Sequence, residues 1–262
     1  MQDAFPESPE DLVARRAASF GSNAAAYAAE RPDYPLAAVR WVLDRLDRRP
    51  ARVLDLAAGT GKLTGVLTSA GIPPHAITAV EPDPAMLAEL RRAHPAVTAL
   101  EGAAEEIPLP DGSVDAVLIG QAMHWFDLDR ALPEIHRVLA PGGVMGGFWN
   151  LDDDAVPWVA EMKRLARSTV TATKWRPKGL PDTPLFPNLE RTEFPHVQRR
   201  TPESMAATIG THSHVLVMDP QDREALLSRI VAHLRATPET AAGEFDLPLI
   251  TLTIRAVAAP HT

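Results

Sequence analysis

The residues best equipped for chemistry form one short run, Asp55-Leu56-Ala57-Ala58-Gly59-Thr60-Gly61, with Glu81 following twenty residues after Gly61. The two glycines permit a tight turn and let a ligand approach the backbone closely. Exposed amides where such a turn enters a helix favour an anionic group. An acid at the tip of the next strand can accept hydrogen bonds from both hydroxyls of a ribose, so the pair in register reads as an adenosine site. Glu81 could instead cap the following helix, a duty Asp83 could also take.

The kind of adenosine ligand follows from what the run lacks. A dinucleotide site closes its helix under a pyrophosphate with a third glycine. Here that place is Thr64, and Gly65 stands one residue out of register. A carboxylate inside the first strand suits a ligand with a cationic amino acid end and no phosphates, because opposite charges in a cleft attract more strongly than in water. Asp55 could equally orient the glycine turn through its amides. Both features point to an S-adenosyl cofactor.

Positioning these residues requires a strand, a turn and a helix. Arg52 to Ala57 is an apolar run that reads as a buried parallel strand, with a helix after it to about Ser69. Ala76 to Val80, Val97 to Leu100, Val114 to Ile119 and Val144 to Trp149 are further strands. Helices alternate with them, one opening at Pro84 and one over Leu128 to Leu139 that Pro141-Gly142-Gly143 halts. Five strand–helix alternations give a doubly wound α/β sheet. Leu189 to Gln198 and Phe245 to Ala258 add two strands around a helix at Asp222 to Leu234, for seven in all. Upstream, the prolines of Arg31-Pro32-Asp33-Tyr34-Pro35 divide two helical pieces, the second spanning Leu36 to Leu46.

Four segments, VLDLAAGTGKLT (53–64), ITAVEPDPAML (77–87), EGAAEEIPLPDGSVDAVLIGQAMHWFD (101–127) and ALPEIHRVLAPGGV (131–144), resemble class I S-adenosylmethionine-dependent methyltransferases in order and spacing. The similarity is to the type 11-like branch that includes the ubiquinone/menaquinone and trans-aconitate methyltransferases, and FGSNAAAYAAERPDYP (20–35) resembles a lead-in of that branch. The resemblance implies a Rossmann-like methyltransferase fold: a seven-stranded, mostly parallel sheet with helices on both faces and an inserted cap after the fifth strand. It implies S-adenosyl-L-methionine as cofactor and a small-molecule acceptor at O, N or C. Ala57, Gly59 and Gly61 would line the methionine end. Glu81 would hold the ribose beside Pro82, and Ala103, Ala104 and Glu105 would border the adenine. Gln121 would lie under the methionine and ribose. Tyr27, Arg31 and Tyr34 would close over the cofactor, with Arg31 facing its carboxylate. Two positions depart from the family: Ala57 stands where glycine is usual, which requires a negative φ there, and Ala103 stands where an acid is common, a loss Glu105 could offset.

His124, just past the fourth strand, is the candidate general base; its bland reading is a packed ring orienting the loop against Trp125. His212 and His214 are weaker substrate-side candidates, and no third ligand accompanies them, so no metal is expected. Trp149, Trp158, Trp175 and Phe186 either wall an apolar acceptor pocket or pack an inserted helix. Asp152-Asp153-Asp154 reads as a solvated capping turn.

The expected organisation is an N-terminal helical lid (1–50), a cofactor-binding core (51–150), an inserted cap (151–187) with a helix from Val156 to Val170, and C-terminal elements completing the sheet (188–262). The 262 residues carry a net charge of −8, 45% hydrophobic content and no cysteine. That balance argues against nucleic acid or anionic membrane partners, and excludes disulfides and thiolate metal sites. The amino terminus lacks the apolar core of a secretory signal, which leaves the cytoplasm as the expectation and the oligomeric state open. A nicotinamide-dependent oxidoreductase and a non-catalytic S-adenosylmethionine-binding protein are the alternatives.

Overall fold

A computed structural model describes residues 31–46, 50, 52–166 and 183–260. Tyr27, Trp175 and the first helical piece lie outside the described residues. In chain order the elements are α1 (Leu36–Leu43), β1 (Val53–Leu56), α2 (Lys62–Ser69), β2 (Ile77–Glu81), α3 (Pro84–Ala93), β3 (Thr98–Glu101), β4 (Val114–Gly120), α4 (Leu128–Val138), β5 (Leu139–Asp152), α5 (Pro157–Ala166), β6 (Glu190–Arg200), α6 (Pro202–Gly210), α7 (Ser213–Leu216), α8 (Pro220–Ala236) and β7 (Phe245–Val257).

The strands form one seven-stranded sheet in the order β3-β2-β1-β4-β5-β7-β6. β1 to β5 run parallel, and β7 is antiparallel to both β5 and β6. Because β1 lies between β2 and β4, the chain winds outward in both directions from it. That switch point opens a crevice at the carboxyl ends of β1 and β4. Strand β1 is buried at all four positions, as a central parallel strand covered on both faces must be.

Apolar residues of α1 and α2 and Leu90 of α3 pack on one face of the sheet around Phe148 and Leu118. Leu132, Ile135 and Val138 of α4 cover the other face around Ile119, Met145 and Trp149. A third core sits past the carboxyl ends of the parallel strands. There Val159 and Met162 of α5, Ile209 of α6 and Ile230 of α8 enclose Phe245, Leu247 and Leu249 of β7. Asp152, the last residue of β5, pairs with Leu249, so the first residues of β7 extend beyond β5 on that side. This third core is therefore assembled from helices both before and after β6.

Two details depart from the sequence expectations. β5 begins at Leu139, with Leu139 opposite Val114 and Val144 opposite Ala116. Pro141-Gly142-Gly143 is thus an irregular stretch inside the strand, with Gly142 at φ 73°, and not a gap before it. α6 and α7 were not anticipated. α6 is started by a reciprocal cap in which the Ser204 amide donates to Thr201 Oγ1 (3.2 Å) and the Thr201 amide donates to Ser204 Oγ (2.9 Å).

Candidate functional site

Arg31, Pro32, Tyr34, Asp55, Ala57, Ala58, Gly59, Thr60, Lys62, Leu63, Gly120 and Gln121 line one cleft at the switch point. The sequence pointed to Arg31, Tyr34, Asp55, Ala57, Gly59 and Gln121 and missed the other six. Of those, Ala58 and Thr60 carried a signal, since both lie inside the glycine turn already identified.

Asp55 is fully buried. Thr64 Oγ1 donates to its Oδ2 at 2.6 Å, which accounts for threonine where a dinucleotide site has glycine. Its Oδ1 has no hydrogen-bond partner among the described residues. Burial pushes its pKa up to about 7, against the opposing pull of the Thr64 hydrogen bonds. A buried carboxylate oxygen with no hydrogen-bond donor costs free energy unless a ligand group supplies one.

Beyond Asp55 the chain turns through three left-handed residues, Ala57 (φ 54°), Gly59 (φ 57°) and Gly61 (φ 88°). The negative φ required of Ala57 is therefore not what the fold adopts. The turn leads the chain off β1 so that Ala58 N donates to Val80 O at 3.0 Å, and a left-handed alanine is the consequence. Gly61 is needed twice over: beyond its φ, a side chain there would meet the His94 ring at 2.6 Å.

Glu81, at 7% exposure, ties the two loops together. Its Oε2 accepts from Gly59 N (2.8 Å) and its Oε1 from Asp83 N (2.9 Å). Burial raises its pKa. Helix capping falls to Asp83, whose Oδ1 accepts from the amides of Ala85 and Met86. Pro82 is exposed beside this tip. On the β3 side Ala104 is buried, Ala103 bridges to Glu106, and Glu105 accepts from Asp127 N at 2.9 Å. Glu105 thus anchors the start of α4.

A strap formed by residues 31–35 crosses the cleft. Tyr34 packs on Phe148 with ring centroids 5.7 Å apart, and its hydroxyl occupies the space where a side chain at residue 120 would stand. Asp33 pairs with Lys62 at 3.3 Å. Arg31 donates to Thr211 Oγ1 and to Thr211 O, both at 3.1 Å, joining the strap to the loop after α6. Gln121 has φ 56°, a second left-handed side-chain-bearing residue at the cleft, and its Nε2 donates to Asn150 O at 3.0 Å. Backbone strain of this kind concentrates where function fixes the geometry.

His124 lies in a 3-10 turn, its ring 4.8 Å from that of Trp125. His124 is exposed, yet desolvation of the ring and then the charge of Arg31 pull its pKa down to about 4. The imidazole is neutral at pH 7. His212 is half-buried at the start of α7, and the side chain of His214 lies outside the described residues. Among the described residues no three His, Asp or Glu gather as a metal set.

Trp149, Trp158 and Phe186 pack in cores and do not wall the cleft. Trp158 packs edge-on against Phe245 at 5.5 Å. Phe186 meets His136 near the end of α4, at the amino ends of the parallel strands and opposite the cleft. In the acidic triplet, Asp153 Oδ1 accepts from Ala155 N within the turn before α5 and Asp154 pairs with Lys163; burial raises the pKa of Asp152.

Comparison with known proteins gives concordant results. A family model described as a methyltransferase domain matches residues 54–146. An uncharacterized methyltransferase of Mycobacterium bovis is 40% identical over 92% of this chain and 96% of its own length. A demethylmenaquinone methyltransferase of Chlorobaculum tepidum is 37% identical over 45% of this chain and 46% of its own. A solved structure from Anaeromyxobacter dehalogenans, described as a type II methyltransferase, superposes with a TM-score of 0.68 at 30% identity, covering 88% of this chain and 99% of that one.

Proposed function

The chain belongs to the S-adenosylmethionine-dependent methyltransferases, and from that premise we propose that the cleft at β1 and β4 holds S-adenosyl-L-methionine for methyl transfer to a small-molecule acceptor. The observation that carries this reading is the open Oδ1 of the fully buried Asp55 beside a turn bonded to Glu81. When bound, the sulfonium cofactor supplies an activated methyl carbon for in-line displacement.

The chain's own residues then bind, orient and exclude water. Asp55 pairs with the cofactor's ammonium through Oδ1, while Thr64 already holds its Oδ2. Each Glu81 oxygen keeps a lone pair for a ribose hydroxyl while its loop bonds hold the carboxylate in place. Ala103 and Ala104 border the adenine, Gln121 lies below the methionine end, and Arg31 and Tyr34 cover it. Orientation alone can supply about 7–11 kcal/mol of barrier reduction, so a reactive acceptor needs no strong base. His124, with a pKa far below neutrality, is poorly matched to proton removal at pH 7. We assign it the orientation of the acceptor as a neutral hydrogen-bonding group.

Calorimetry with S-adenosylhomocysteine tests the site. Micromolar binding that Asp55→Ala removes is expected. Binding to the wild type that Asp55→Ala leaves unchanged places the cofactor elsewhere.

A further inference from the structure

We propose that Asn150, Thr251 and His196 form a hydrogen-bonded relay across β5, β7 and β6 that holds the strap over the cleft, making Thr251 and His196 positioning residues for cofactor binding. The inference rests on the cofactor assignment above.

The relay starts at Asn150, two residues before the end of β5. Its Nδ2 donates to Pro32 O (3.3 Å) and Asp33 O (3.2 Å), and its backbone oxygen receives Gln121 Nε2. One residue thereby fixes both the strap and a cleft-lining side chain. Two carbonyls facing the amide define its orientation, because the flipped form would set oxygen against oxygen. Asn150 Oδ1 must therefore be the acceptor facing Thr251, whose Oγ1 donates to it at 2.6 Å.

Thr251 is fully buried and its hydroxyl has one proton. With that proton committed to Asn150, the 2.9 Å contact between Thr251 Oγ1 and His196 Nε2 requires the imidazole to donate. His196 is then the Nε2–H tautomer. The order of donation runs from edge strand β6 inward to the strap. No member lines the cleft, so the effect is transmitted by geometry. The strap is also tethered by the partly exposed Asp33–Lys62 pair, of a class worth little, by Tyr34 on Phe148, and by the Arg31–Thr211 contact at its far end. The Asn150 contacts hold its backbone, at the carbonyls of Pro32 and Asp33.

The test compares Thr251→Val, which keeps the shape and deletes the hydroxyl, with Thr251→Ser, which restores it. Hydrogen exchange of the unliganded protein is followed at the Asp33 and Tyr34 amides, and S-adenosylhomocysteine affinity is measured by calorimetry. Thr251→Val is expected to speed strap exchange and weaken affinity about tenfold, with Thr251→Ser recovering both. Unchanged strap exchange in Thr251→Val overturns the relay, whatever the affinity does. A wild type that binds no S-adenosylhomocysteine overturns the cofactor assignment, while the exchange comparison still decides the relay. If Thr251→Val does not fold, nitrogen NMR of wild-type His196 decides: a protonated Nε2 supports the relay, and the Nδ1–H tautomer refutes it.

Discussion

At the scale of single residues, the site is defined by groups held in states they would not choose alone. Asp55 is kept near half protonation at pH 7 by burial. Its folded pKa lies above the unfolded value, so the stability it contributes is full below about pH 4 and is lost as pH rises through about 7. Ligand binding runs the other way, because the ionised form pairs with the ammonium. Affinity for S-adenosylhomocysteine should therefore rise about tenfold per unit as pH approaches 7 from below and then level off, and Asp55→Asn should flatten that profile in pH-resolved calorimetry. Glu81→Ala removes an anchor for Gly59 as well as a ribose acceptor, and should weaken binding at least tenfold. Ala57 carries left-handed strain of about 1 kcal/mol, so Ala57→Gly should raise the melting temperature by about 2–4 °C. His124→Ala should leave cofactor affinity within about twofold, as fits a residue facing the acceptor. The pattern of glycines and acids made Asp55, Gly59 and Glu81 legible in the sequence. Pro32, Gly120 and Asn150 were not, because their roles arise from contacts between segments far apart in the chain.

At the scale of elements, the sequence revealed every strand, the central ones because buried parallel strands are short apolar runs between turn residues. Its errors fall where local pattern and tertiary pairing disagree. Pro141-Gly142-Gly143 carries a strong break signal, yet the ladder with β4 resumes on both sides of it. α6 was legible in principle from Thr201-Pro202-Glu203-Ser204, but serine replaces the usual glutamate of the reciprocal cap and obscured it. Arg137 shows how an element positions a loop: from α4 it donates to Ile107 O and Leu109 O and pairs with Glu134 and Asp111. Glu134 in turn accepts from Ile107 N. Arg137→Met should therefore speed hydrogen exchange across residues 105–112 while sparing β1, and reduce S-adenosylhomocysteine affinity through the adenine side. Equal exchange in that segment would refute the role.

At the scale of the whole molecule, cofactor binding should act as a staple, because the cleft gathers residues from the strap, β1, α2 and β4. At one hundred times its dissociation constant, S-adenosylhomocysteine should add about 2.7 kcal/mol of stability, a rise of about 5–10 °C in melting temperature for a chain of this size. Scanning calorimetry over a ligand series checks that slope. The helices beyond the sheet's carboxyl end share a single core although β6 separates α5 from the other three along the chain. A transplant of this helical unit from a relative must therefore carry both halves together. A chimera receiving only residues 202–236 would set foreign side chains against Val159 and Met162, and should be less stable than either parent.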